Sequence, residues 1–321
     1  MTVLNPTAPE VAEAHPRLRR VGLSDLHVFP VALSGDVFGW QVDVSTAETI
    51  MDEFADAGGT LIDTADVYAS GRSEYMIGNW MRERGCRDDM VVATKVGKSA
   101  DNPGLSADAI TRAVNDSLAR LQTDHIDLLY LHIDDQAVPF EETLLAVDAL
   151  IHSGKVRYFG GSDHRGDRLM EARIASAQLG VPPMVAVQNQ YHLLHRRDYE
   201  SGLAHVAWGQ KLGVMPRFPL AKGFLSGDFR KRSDLRRHER GETAAPFLTR
   251  KGLRVLAELD RLAELHDTTV PTVALSWLLN KPLVVAPVLS VIKPERVRSL
   301  MDAPALALTR HQVAALDRVS A

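Results

Sequence analysis

Short apolar runs alternate with amphipathic, helix-like runs almost to the end of the chain. HVFPVAL (27–33) precedes TAETIMDEFADAG, and GTLIDTAD (59–66) precedes SEYMIGNWMRERG. DMVVATKVG (89–97) precedes SADAITRAVNDSLARLQ, and HIDLLYLHI (125–133) precedes PFEETLLAVDALIHSGK. VRYFGGSD (156–163), PMVAVQNQY (183–191), VMPRFPL (214–220) and VVAPVLSVI (284–292) continue the series, each followed by helical pattern. Many of these strands are apolar on both faces, as a parallel sheet covered by helices requires. Ser45, Ser73 and Ser106 are expected to cap helix starts, and Gly58, Gly85, Gly154, Gly180 and Gly213 to end helices. Eight such units predict an α/β fold, a single (β/α)8 barrel with its active face at the C-terminal strand ends; an open doubly wound sheet is the competing architecture. The expected domain is 17–321, after a loosely ordered leader over 1–16. The polar, Arg-rich segment 227–247 and a terminal helix in 307–321 stand outside the repeat.

A barrel directs residues at the C-terminal strand ends toward the ligand site. Strand two ends in Asp63, with Tyr68 just beyond; strand three ends in Lys95 and strand four in His132. Strand five ends in Ser162, Asp163 and His164, and strand six in Gln188, Asn189 and Tyr191; strand seven carries Arg217. A lysine buried beside the core demands a carboxylate, which Asp63 can supply. A phenol beside that ammonium is expected to ionise more easily, so that Tyr68 serves as a general acid tuned toward neutral pH. His132 can donate to a substrate oxygen. These parts describe a site aimed at a carbonyl, but they include no source of electrons, and no G-x-G-x-x-G fingerprint follows a strand.

Composition narrows the setting. The chain has 321 residues, 45% hydrophobic and 24% charged, with formal net charge -4. That balance argues against a general nucleic-acid or membrane-surface role. The single cysteine, Cys86, allows neither an internal disulfide nor a metal-type cysteine pair. Without a signal-peptide pattern or a long apolar run, the expected setting is the cytoplasm.

DTADVY, ATK and YLH resemble the motifs of the aldo-keto reductase superfamily that hold its catalytic tetrad, here Asp63, Tyr68, Lys95 and His132. RRVGLSDLHVFPVALSGDVFG resembles that family's N-terminal hairpin and first strand; QNQYHLLHR, FPLAKGFLSG and TVALSWLL resemble later segments. The resemblance covers roughly 17–320. It implies a barrel that binds NADPH, less often NADH, without a Rossmann domain, and that reduces an aldehyde or ketone to an alcohol without a metal. It further implies that Gly35, Ser162, Asp163, Gln188, Arg217, Leu220, Lys222, Gly223, Lys293 and Arg296 meet the cofactor, the last two favouring the 2′-phosphate of NADPH. Trp40, Tyr191, His192 and the 227–247 loop are expected near the substrate, a small carbonyl compound; the Arg-rich loop would suit an acidic or phosphorylated one.

Three positions depart from the family pattern. Asp163 stands where Asn is usual, Arg217 where an aromatic residue stacks on the nicotinamide, and Ser290 where Gly or Lys is common. Each unusual charge is expected to neutralise the other in an Arg217–Asp163 pair. Two other functions compete: a slow, NADPH-binding regulatory subunit like potassium-channel β subunits, and a metal-dependent hydrolase using His132, Asp134 and Asp135.

Overall fold

The computed structural model describes residues 18–238 and 240–321; the leader expected over 1–16 lies outside the described residues. Eight apolar runs form parallel strands: Ala32–Ser34, Leu61–Asp63, Val91–Val96, Ile126–Leu131, Val156–Ser162, Ala186–Gln188, Gly213–Val214 and Val288–Ser290. Each pairs with its neighbour in sequence, and the last pairs with the first. Backbone bonds from Val214 to Leu283, Val285 to Val214 and Val288 to Pro216, each 2.9 Å, close the ring between the seventh and eighth strands. The fold is therefore the expected (β/α)8 barrel.

Alternation along the strands explains what the barrel presents. Leu61, Ala93, Leu128, Tyr130, Ala186, Met215 and Val288 share one inner cluster, while Ile62, Val92, Leu129, Leu131 and Val187 join the larger layer between strands and helices. Side chains two residues apart on a strand point the same way. The inward series therefore runs from Leu61 to Asp63, Ala93 to Lys95, Tyr130 to His132, Ala186 to Gln188 and Met215 to Arg217. Polar side chains arrive at one end of the barrel because the inward parity turns polar there on adjacent strands. At the other end, an antiparallel hairpin of Arg19–Arg20 and His27–Val28 contributes Val21, Leu26 and Val28 to the inner cluster.

Several local expectations need correction. HVFPVAL is not one strand: His27–Val28 belongs to the hairpin and only Ala32–Ser34 to the barrel. Ser106 caps its helix, but Asp43 rather than Ser45 caps Val44–Asp56. Ser73 lies inside the helix Arg72–Arg84, where its buried hydroxyl serves the site instead. Gly85 and Gly180 close helices in the left-handed conformation, whereas Gly213 opens a strand and Lys211 ends the preceding helix. The 227–247 segment contains short helices at Arg232–Leu235 and Gly241–Ala244. The terminal helix is Arg310–Ser320, opened by a reciprocal Thr309–Gln312 cap. No helix among the described residues is long and apolar enough to cross a membrane.

The turn after the second barrel strand is strained. Ala69, Ser70 and Gly71 all have positive φ, at 49°, 56° and 83°. Only glycine adopts this region without a Cβ penalty. Ala69→Gly is therefore expected to stabilise the protein by about 1 kcal/mol. Urea denaturation measures the change; a loss of stability would mean that the alanine methyl, which lies close to Gly39, makes a compensating contact.

Candidate active site

Asp63 and Lys95 are buried, and Lys95 Nζ donates to Asp63 Oδ1 at 2.5 Å and to the Thr64 carbonyl at 2.8 Å. The other carboxylate oxygen accepts from Gln188 Nε2 at 2.8 Å. Both oxygens of Asp63 thus face donors, the arrangement an ionised carboxylate requires. Lys95 Nζ also reaches Tyr68 Oη at 3.5 Å. Burial opposes the charge on Lys95, but Asp63 and Tyr68 hold its pKa above the ordinary lysine value.

The phenol departs from expectation. Burial raises the pKa of Tyr68, and Asp63 and Asp36 reinforce that rise, while Lys95 works against it. Lys95 alone does not tune this phenol toward neutral pH, so Tyr68 keeps its proton and is a donor. The His132 ring lies edge-on to it, with centroids 6.0 Å apart. Burial, then the charges of Lys95, Lys98 and Arg217, push the His132 pKa down to about 2. The imidazole is neutral at physiological pH, and Nδ1 has no partner among the described residues. The four groups form a proton donor, an ammonium that can stabilise the phenolate it becomes, a carboxylate that pairs with that ammonium, and a neutral imidazole able to orient a carbonyl oxygen.

Hydroxyl contacts fix the floor of this site. Ser73 Oγ donates to the Gly35 carbonyl and meets Thr64 Oγ1, both at 2.8 Å. A Cβ on Gly35 would lie 2.4 Å from Ser73 Oγ, so glycine is required there by close approach. Beneath the Tyr68 turn, Glu74 accepts from Thr94 at 2.5 Å and from Arg120 at 2.7 Å. Asp66, buried beside this group, has a carboxyl pKa pushed up to about 7 by burial and then by Glu74. The sequence does not single out Asp36, Asp66 or Lys98, and it predicts Ser73 only as a helix cap.

The expected Arg217–Asp163 pair is present. Arg217 Nη2 donates to both Asp163 oxygens, at 2.9 and 2.8 Å. Asp163 has φ 55°, a left-handed conformation that Asn and Asp tolerate better than most residues, so this carboxylate keeps the backbone an asparagine would have. Arg217 also stacks its guanidinium 4.6 Å from the Phe218 ring. Around the pair, Ser162 Oγ, Gln188 Oε1, Asn189 Oδ1 and Arg217 Nε are buried with no partner among the described residues. Such groups are costly unless something bonds them.

Two cavities flank the strand ends. One of about 720 Å³ is lined by Asp163, Asn189, Arg217 and Tyr199, with the start of the helix Gly166–Leu179. The other, about 260 Å³, is lined by Leu220, Gly223, Ser290, Lys293 and Arg296, together with Arg237, His238 and Arg240 from the Arg-rich segment. Leu220, Gly223, Lys293 and Arg296 are thus brought together, while Lys222 turns its ammonium over Phe218 instead. Trp40 is exposed, its indole donating to the Asp36 carbonyl at 2.7 Å. Tyr191 and His192 do not line the site. Tyr191 is packed between Tyr199 and Trp277 with its hydroxyl on Glu200, and His192 is buried against Phe247. The proposed hydrolase carboxylates are engaged elsewhere: Asp134 accepts from Arg168, and Asp135 from the Leu105 and Ala137 amides. No metal-binding group of three His, Cys, Asp or Glu occurs among the described residues.

A family model described as the aldo/keto reductase family matches residues 32–321. An aryl-alcohol dehydrogenase of Pestalotiopsis microspora is 30% identical over an alignment covering 99% of this chain and 85% of that protein. YrpG of Bacillus subtilis strain 168, an uncharacterized oxidoreductase, is 32% identical over 93% of this chain and 94% of its own length.

Proposed function

The chain belongs to the aldo/keto reductase family, and from that premise we propose that it reduces an aldehyde or ketone to an alcohol with NADPH, Tyr68 acting as general acid. The observation that carries this reading is the buried Asp63–Lys95 pair, 2.5 Å apart, with Lys95 also within reach of the Tyr68 hydroxyl. When bound, NADPH would supply the hydride that the carbonyl carbon needs. Tyr68 Oη gives its proton to the carbonyl oxygen, and Lys95 stabilises the phenolate left behind. Neutral His132 donates a hydrogen bond to the same oxygen and orients it. Asp63, held by Gln188, keeps Lys95 charged and aimed at the phenol.

The residues present suit the cofactor. The unpartnered Ser162 Oγ, Asn189 Oδ1 and Gln188 Oε1 offer polar partners for a carboxamide. Lys293, Arg296, Arg237 and Arg240 line one cavity, a setting for phosphates that favours NADPH over NADH. Arg217 can stack in place of an aromatic residue.

The charge pair beside this site has a measurable consequence. Arg217→Tyr alone leaves the Asp163 carboxylate without its guanidinium, so it is expected to weaken NADPH binding more than Arg217→Tyr combined with Asp163→Asn. Fluorescence titration measures both; equal losses would mean that the two residues act on the cofactor independently. Turnover itself is tested by following NADPH absorbance with a panel of aldehydes and ketones. Tight cofactor binding with negligible turnover on all of them would favour a cofactor-sensing subunit instead.

A further inference from the structure

We propose that Lys98 anchors a carboxylate carried by the substrate, making this a reductase of acidic carbonyl compounds; the proposal rests on the reductase reading above. Lys98 lies three residues beyond Lys95, just past the end of the third barrel strand. Its side chain is 34% exposed, and its ammonium makes no hydrogen bond among the described residues. The one ion-pair partner among the described residues is Asp163 Oδ2 at 3.9 Å, and both Asp163 oxygens already accept from Arg217. A partly desolvated ammonium with three donors and no acceptor is a recognition element for an anion.

The charge balance of the site gives the same answer. Among the described residues Lys95 is matched by Asp63 and Arg217 by Asp163, so that Lys98 shares a carboxylate already held by Arg217. Arg217 Nε, a buried donor with no acceptor among the described residues, adds a second unused N–H on the Asp163 side of Lys98. Both cations act on the imidazole that orients the carbonyl: burial first, then Lys95, Lys98 and Arg217, disfavour its protonation. An anion near Lys98 would therefore lie close to the reacting carbonyl.

Asp36 carries the opposite charge near the Asp63 and Tyr68 end of the group. One of its carboxylate oxygens is buried without a partner among the described residues, and its charge acts on Asp63 and Tyr68. A substrate carboxylate would be repelled by Asp36 and attracted by Lys98.

The experiment compares glyoxylate, succinic semialdehyde and glutaric semialdehyde with acetaldehyde, butanal and pentanal, at saturating NADPH. The wild-type protein is expected to prefer at least one acid over its neutral partner by about tenfold or more in kcat/KM. In Lys98→Met that ratio should collapse toward unity, and Lys98→Arg should restore much of it. Unchanged ratios in Lys98→Met would overturn the proposal, as would an equal weakening of NADPH binding, which would make Lys98 a cofactor contact. If no carbonyl is reduced, the reductase reading fails by itself. Calorimetric titration with succinamate, an unreactive carboxylate, then decides the anchor: weaker binding to Lys98→Met supports it, and equal binding overturns it.

Discussion

Tyr68→Phe is expected to lower kcat by about 10²- to 10⁴-fold, the usual contribution of a positioned general acid, with a much smaller change in cofactor affinity. The phenol is the one group in the site that both holds a proton at neutral pH and faces the ammonium able to stabilise its conjugate base. His132 cannot substitute, because burial and the neighbouring cations keep it neutral down to a pKa of about 2. Steady-state kinetics with a fixed aldehyde and parallel NADPH titrations measure the two effects. A variant retaining near wild-type kcat would assign the proton to another donor.

The second large effect concerns stability. Lys95→Met removes the ammonium but leaves Asp63 buried with Gln188 as its remaining side-chain donor. Breaking a buried pair from one side typically costs about 3–5 kcal/mol, whereas replacing both partners by neutral groups of similar volume is often close to neutral. Lys95→Met is therefore expected to lose about that much in urea denaturation at neutral pH, and the double variant Asp63→Asn/Lys95→Met to recover most of it. The pH dependence has a definite sign. Burial raises the folded pKa of Asp63 above its unfolded value even with Lys95 present. Without Lys95 the folded state binds the extra proton more strongly than the unfolded chain does, so the single variant regains stability as pH falls from that raised pKa toward the ordinary carboxylate value. Loss that is independent of pH would point to packing rather than charge.

Much of this was legible in the sequence, for a reason specific to barrels. Two-residue alternation along the strands carries Leu61 to Asp63, Ala93 to Lys95 and Tyr130 to His132, so a polar residue ending an apolar run reads directly as an inward-facing site residue. The Arg217–Asp163 pair was also legible, because the family resemblance places both residues beside the nicotinamide, where two unpaired charges would be costly. What sequence left hidden depended on side-chain direction. Gln188 reads as a strand-end amide, but which of its atoms turns toward Asp63 is decided across the barrel, 125 positions apart in the chain. Tyr191 and His192 follow the same strand end, yet the chain leaves the barrel there, and both rings pack into the core. Burial reversed the expected direction at Tyr68, since a pairwise argument from Lys95 omits the desolvation of the phenol. Lys98 carried no motif; its interest lies in the acceptors it lacks, which only coordinates reveal.

The most direct test of the central claim is isotopic. The protein is mixed with NADPH carrying deuterium at both positions of the reactive nicotinamide carbon and with each of a panel of aldehydes, in ordinary water, and any product alcohol is analysed by mass spectrometry. The account predicts one deuterium on the carbinol carbon of the wild-type product, with formation of that alcohol collapsing in Tyr68→Phe. An alcohol without deuterium, or no alcohol from a protein that binds NADPH tightly, would contradict it.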